Sequence, residues 1–185
     1  MNRHSRSTRA LVEAALMIAL ATILGYFRLY RFPQGGSVDF AMVPILIYCL
    51  RWGPAWSLSC CFVNGVLQFF LGGGIALSWQ SMLLDYLVAF TPLGLAGLFR
   101  GKSWGLFAGT LAGCLARFAI HYISGVTVYK ILAPTEFLNW TFSSPALYSL
   151  VYNGSYMLPN TIITLLISVV LYVPLKRFIL GLDLK

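Results

Sequence analysis

The chain has 185 residues; 59% are hydrophobic, 10% are charged, and the mean hydropathy is +0.80. A soluble domain is about 25% charged, so a soluble fold would expose apolar surface on a scale that monomers avoid, and intrinsic disorder is excluded by the same numbers. The net charge of +8 is carried mostly between apolar runs, a pattern of membrane topology rather than of a nucleic-acid surface.

Each helical crossing of a bilayer takes about 20 residues. The length therefore suits an all-α polytopic membrane protein, a compact bundle of six transmembrane helices, with residues 1–185 forming a single integral membrane domain. A barrel would need short alternating segments, and the runs here are longer and do not alternate. The first run, Ala10 to Phe27, follows Arg3, Arg6 and Arg9 and reads as a retained helix, since no tidy cleavage site follows. A loop from Arg28 to Ser37 holds Pro33 and Gly35-Gly36. The second run, Val38 to Leu50, is short and carries Pro44, which predicts a thinned or tilted helix. The third runs from Gly53 to Leu71 and ends at Gly72-Gly73-Gly74. The fourth spans Trp79 to Phe99 with Pro92 inside; the fifth spans Trp104 to Val126. A connection from Lys130 to Pro145 leads to the sixth, Tyr148 to Val173, closed by Pro174.

Six crossings put both termini on one side. With the termini in the cytoplasm, the inner face holds Arg3, Arg6, Arg9, Arg51, Arg100, Lys102, Lys176, Arg177 and Lys185, whereas the outer face holds Arg28, Arg31 and Lys130. That asymmetry favours cytoplasmic termini. Cys49, Cys60, Cys61 and Cys114 all lie in apolar stretches without close ligand spacing and read as small buried hydrophobes, not as a metal site or a disulfide framework.

Ionisable groups at membrane depth are costly and mark function. Asp85 lies in the fourth run, and Arg117 and His121 share one face of the fifth. Asn153 lies near the outer end of the sixth, so four polar residues on three helices fall in the outer half and can ring one pocket. Tyr86 adjoins Asp85, Tyr122 and Tyr129 follow His121, and Tyr148, Tyr152 and Tyr156 recur every four residues, with Trp140 in the preceding loop. Tyrosine is also enriched at membrane interfaces, so any one of them has that second reading. A carboxylate suits a cation, an asparagine pairs with an aminated heterocycle, and aromatic faces stack on flat rings. The pocket thus predicts a small, aromatic, positive solute, with Arg117 leaving room for a small anion. Motifs for nucleophilic hydrolysis, zinc binding and phosphate cradling are absent, so active transport would draw on a partner or an ion gradient.

At these positions the sequence resembles the thiamine-specific substrate-binding (S) subunits of energy-coupling factor transporters, the ThiT/YuaJ family. The resemblance rests on Gly35-Gly36-Ser37-Val38 with Met42 and Pro44, Leu84 to Phe90, Gly94-Leu95-Ala96-Gly97, Arg117-Phe118, His121 to Gly125, and Tyr148 to Gly154. It implies a six-helix bundle with a thiamine site near the outer surface and the first loop as a lid. It implies ligand contacts at Asp85, Tyr86, His121, Tyr129, Tyr148 and Asn153. Asp85 is one methylene shorter than the glutamate frequent in the family, and Tyr129 stands where the family has tryptophan. A neutral His121 is expected beside a bound cation. The resemblance further implies a bacterial plasma-membrane protein with no cofactor and no ATPase of its own. Its partners would be a transmembrane coupling protein, docked through Ala15 and Ala19, and two cytoplasmic ATPases. Alternatives are a subunit for another small vitamin or precursor, an intramembrane enzyme on a lipid-like substrate, and a stand-alone carrier.

Overall fold

The computed structural model describes residues 3–72, 78–127 and 135–184. Among them are six helices: α1 (Arg3–Leu24), α2 (Met42–Trp52), α3 (Pro54–Leu71), α4 (Trp79–Phe99), α5 (Gly105–Thr127) and α6 (Pro145–Ile179). All but α2 are long and apolar enough to cross a membrane. The exterior is far more apolar than that of a soluble protein, around an interior that holds both an apolar core and many polar side chains. Leu16, Phe70, Val170 and Val173 are exposed, while Asn64, Thr110, His121, Asn153, Asn160, Thr164 and Ser168 are buried. Lipid accepts the outer apolar side chains, and the interior gathers the polar ones that lipid rejects.

The second run folds differently from its prediction. Its start becomes a small strand, Ser37–Val38 (β2), paired with Tyr30–Arg31 (β1). The helix that follows has 11 residues, all of them buried, and spans about 16 Å, roughly half a hydrocarbon core. It sits inside the bundle against α1, α4 and α6, so it has no lipid thickness to match. Pro44 falls in its first turn, where a missing N–H costs nothing.

Three further boundaries moved. The predicted connection before the sixth run contains a hairpin, Thr135–Phe137 (β3) with Trp140–Phe142 (β4), turned by Leu138 and Asn139 at positive φ. α6 begins at Pro145, so Tyr148 lies within its first turns. It also runs through Pro159 and Pro174 to Ile179, because a proline removes one donor without obliging a lipid-embedded helix to stop. A last turn at Leu182–Leu184 tucks Leu184 into the core.

α4 changes pitch along its length, from an α-turn at Trp79–Met82, through π-helix at Leu83–Val88, to 3₁₀-helix at Thr91–Phe99. Pro92 lacks the N–H that would bond back into the π segment, which separates the two forms. The widened turn lies against α3 at Gly65, where a Cβ would stand 2.4 Å from the Tyr86 carbonyl oxygen.

The cysteines are buried and free. At the Arg51 end of α2, the fully buried Arg51 guanidinium bonds Glu13 of α1 (Nη2–Oε1 2.9 Å) and Asp183 (Nη1–Oδ1 2.7 Å) and donates to the Phe178 carbonyl. Arg9 also pairs with Glu13 and Asp183. Arg51 is thus a brace among α1, α2 and the C-terminal turn rather than an exposed topological charge.

Candidate functional site

At the other end of α2 the helices part around a cavity of about 440 Å³, within the range of small-molecule sites. Helices α2 to α6 contribute to its wall, and the loop between α1 and α2 covers it. Asp85, Tyr86, His121, Tyr148 and Asn153, nominated from the sequence on three different helices, line this one space. Arg117, Tyr152 and Tyr156 join them. Tyr129 lies outside the described residues. Tyr122 stacks on Phe118 away from the wall, and Trp140 is largely exposed.

The π segment of α4 sets the Asp85 side chain opposite α5, with Oδ1 3.3 Å from His121 Nδ1. π turns recur at functional sites because they re-aim side chains that a regular helix would direct elsewhere. One turn deeper, Arg117 Nε donates to His121 Nε2 at 3.3 Å. A guanidinium can only donate, so Nε2 is an acceptor and the proton sits on Nδ1, directed at Asp85. This network holds a neutral imidazole, the form expected beside a cation. The Arg117 guanidinium also lies 3.9 Å over the Phe90 ring, which stacks on Tyr86.

α6 supplies the aromatic wall. Tyr148 and Tyr152 are parallel at 5.7 Å, Tyr152 meets Tyr156 edge-on at 5.4 Å, and Tyr156 meets His121 edge-on at 6.2 Å. Asn153 is buried among them. Its amide nitrogen donates to Ser149 O (2.9 Å), Ser149 Oγ (3.1 Å) and His121 O (3.3 Å), and its Oδ1 accepts from Tyr156 OH at 2.7 Å. An asparagine has two donors and two acceptor lone pairs. Both donors and one lone pair are therefore committed, one bond crossing to α5 at the His121 carbonyl and the others staying within α6. What remains for a ligand is one lone pair.

The covering loop is fastened by its backbone. Gly36 N donates to Tyr152 OH at 2.8 Å, Asp39 N donates to Asn160 Oδ1 at 2.9 Å, and Asn160 Nδ2 donates to Ser37 O at 2.7 Å. Phe32 packs against Phe137, Tyr152 and Tyr156. Gly36 lies so close to α6 that a Cβ there would stand 2.6 Å from Tyr156 Cδ1.

The chain has five acidic residues. Glu13 and Asp183 hold Arg51, and the other three, Asp39, Asp85 and Glu136, line the cavity with Arg28, Arg31 and Arg117. Sequence reading singled out Asp85 alone of the three. Asn64 and Gln68 of α3 and Asn160 of α6 also line the wall and were missed, although each is an amide within an otherwise apolar run. Ala15 and Ala19 lie on an exposed face of α1, beside Leu16 and Leu20 and remote from the cavity.

The family model described as Thiamine transporter protein (Thia_YuaJ) matches residues 11–180. The chain is 33% identical over 196 aligned positions to Thiamine transporter ThiT of Bacillus subtilis (strain 168), covering 97% of each. It is 30% identical over 187 positions to Thiamine transporter ThiT of Lacticaseibacillus paracasei, covering 92% of this chain and 90% of the relative. A solved structure of ThiT from Listeria monocytogenes superposes with a TM-score of 0.81 at 22% identity, over 94% of this chain and 98% of that one, and shares its fold.

Proposed function

This chain belongs to the thiamine transporter protein family (Thia_YuaJ), and from that membership we propose that it captures thiamine at the outer face of a bacterial plasma membrane and delivers it inward as the substrate-specific subunit of an ATP-driven importer. The observation that carries the reading is the Asp85–His121–Arg117 chain set beside a tyrosine wall in one cavity. Thiamine joins a flat thiazolium cation to an aminopyrimidine. The Asp85 carboxylate offsets the cation in a low-dielectric site, where charge attraction is less screened than in water. The neutral His121 presents its ring without repelling the ligand. Tyr86 and Tyr148 supply ring faces and edges for stacking, as Tyr129 does in this reading. Asn153 positions the wall and offers its one remaining acceptor.

The covering loop closes the site by the Gly36 and Asn160 hydrogen bonds. The cluster of basic residues at the Arg51 end places both termini in the cytoplasm, so the cavity opens outward. The protein acts as a transport subunit and carries no ATPase. Transport then requires a transmembrane coupling protein and two cytoplasmic ATPases. The exposed Ala15 and Ala19, four apart on α1, permit close approach of a partner helix.

Calorimetry of the purified protein with thiamine tests the reading. A saturable one-to-one complex is expected, weakened in Asp85→Asn. Absence of saturable binding, or an unchanged affinity in folded Asp85→Asn protein, would refute the pocket.

A further inference from the structure

The loop that covers the cavity has unlike edges. Arg28, Arg31, Gln34 and Ser37 line the cavity. Phe27, Leu29 and Tyr30 do not; they are 64%, 60% and 53% exposed. These side chains are large, apolar and nearly consecutive, and an apolar patch of that kind marks an interaction surface. It continues the surface that lipid covers. Leu16, Leu20 and Ile23 are exposed at helical spacing along α1, and Phe27 falls on the same line just past the end of the helix. Tyr26 OH donates to the Leu71 carbonyl at the end of α3, where Phe70 and Leu71 are themselves exposed. The Arg28 guanidinium donates to the Gly72 carbonyl at 2.6 Å. The root of the loop is thereby pinned at the level where α1 and α3 end, the layer in which tyrosine and tryptophan gather.

A loop standing clear in water would gain nothing by exposing Phe27, Leu29 and Tyr30, whereas in the boundary between headgroups and acyl chains their apolar area is buried. We propose that the loop is a lid seated in lipid: these side chains lie in the interfacial layer of the outer leaflet, while the opposite edge covers the ligand. Opening then carries a cost set by the membrane. The Leu29 N–H donates to the Val38 carbonyl at 2.8 Å, and β1 pairs with β2, so the limbs of the loop form one ribbon. Lifting β2 away from Tyr152 and Asn160 draws β1 out of the leaflet. The bilayer thus helps to hold the site shut, and the residence time of the ligand depends on lipid as well as on the cavity wall.

The test uses the purified full chain, without partners, in phosphatidylcholine nanodiscs. A bimane label is attached to Leu29→Cys and, as the cavity-side control, to Gln34→Cys; the native cysteines are buried. Lipid brominated just below the headgroup should quench the label on Leu29→Cys strongly and the label on Gln34→Cys little, and aqueous iodide should do the reverse. Equal quenching of the labels, or a label on Leu29→Cys that iodide reaches and brominated lipid does not, would overturn the seat. This measurement is independent of the ligand's identity. A second measurement rests on the thiamine reading above. Leu29→Asp with Tyr30→Asp should release bound radiolabelled thiamine about tenfold faster in nanodiscs, with the ligand-free melting temperature close to that of the parent. An unchanged release rate in the folded variant would overturn the holding role of the bilayer. A parent chain that binds no thiamine would instead overturn the thiamine reading, and the quenching contrast alone would then decide the seat.

Discussion

Replacing Gly36 by alanine would put a methyl group into the ring of Tyr156. The added Cβ would stand 2.6 and 2.8 Å from two ring carbons and 2.9 Å from the Tyr152 hydroxyl. Tyr156 has little room to withdraw: it is 5% exposed, its hydroxyl bonds Asn153, and its ring packs on His121 and Tyr152. The loop must lift instead. Lifting breaks the bond from Gly36 N to Tyr152 OH, worth about 1 kcal/mol net. The alternative, forced overpacking, costs about 1–3 kcal/mol. The chain takes the cheaper route, so about 1 kcal/mol is the expected loss from the closed state, or roughly fivefold in affinity. Because the loop covers the bound ligand, most of that loss belongs in the dissociation rate. Calorimetry gives the affinity, and a chase of bound radiolabelled thiamine with excess unlabelled ligand gives the rate. The melting temperature of the ligand-free bundle should barely move. Affinity and release rate both within about twofold of the parent would refute the closing role of the loop.

Three other perturbations separate the two ends of the molecule. Arg51→Met leaves Glu13 and Asp183 with Arg9 as their only shared cation; breaking a buried pair costs about 3–5 kcal/mol, and the remaining Arg9 and the partial exposure of Asp183 argue for the lower end. Thermal unfolding in detergent should show that loss, with thiamine affinity of the folded protein unchanged. Asn153→Ala should lower both melting temperature and affinity, since it removes the bond to the His121 carbonyl of α5 and the acceptor of the buried Tyr156 hydroxyl; a loss of affinity alone would show that the amide contacts ligand rather than holding the wall. Ala15→Trp with Ala19→Trp should block co-purification with the coupling protein while leaving calorimetric thiamine binding intact, and continued co-purification would exclude that face of α1.

Composition alone determined the solvent of this protein. A chain this apolar, with basic residues gathered between its runs, has no stable place except a bilayer. The isolated polar residues of the apolar runs pointed inward for the same reason, so Asp85, Arg117, His121 and Asn153 were legible as a cluster before any coordinates. Local pattern failed where lipid was not the neighbour. The buried α2 has no thickness to match, and the two hairpins belong to the polar loops, where hydropathy says little. Proline was read as a stop at Pro174, yet an embedded helix has no water to offer its backbone a better alternative.

What only the tertiary structure decided is which polar atoms were already taken. Residue type states how many hydrogen bonds a side chain can make; only distances between helices state how many are left. By type, Asn153 was the natural partner for an aminated ring, and Asn64 was a stray amide in an apolar helix. The His121 carbonyl of α5 and Ser149 on its own helix commit the donors of the first, and the oxygen of the second is buried without a partner among the described residues. The pairing of Glu13 and Asp183 with Arg51, more than a hundred residues apart along the chain for Asp183, was likewise beyond any local pattern. Hydropathy is a property of each residue, whereas the satisfaction of a buried polar group is a property of the fold.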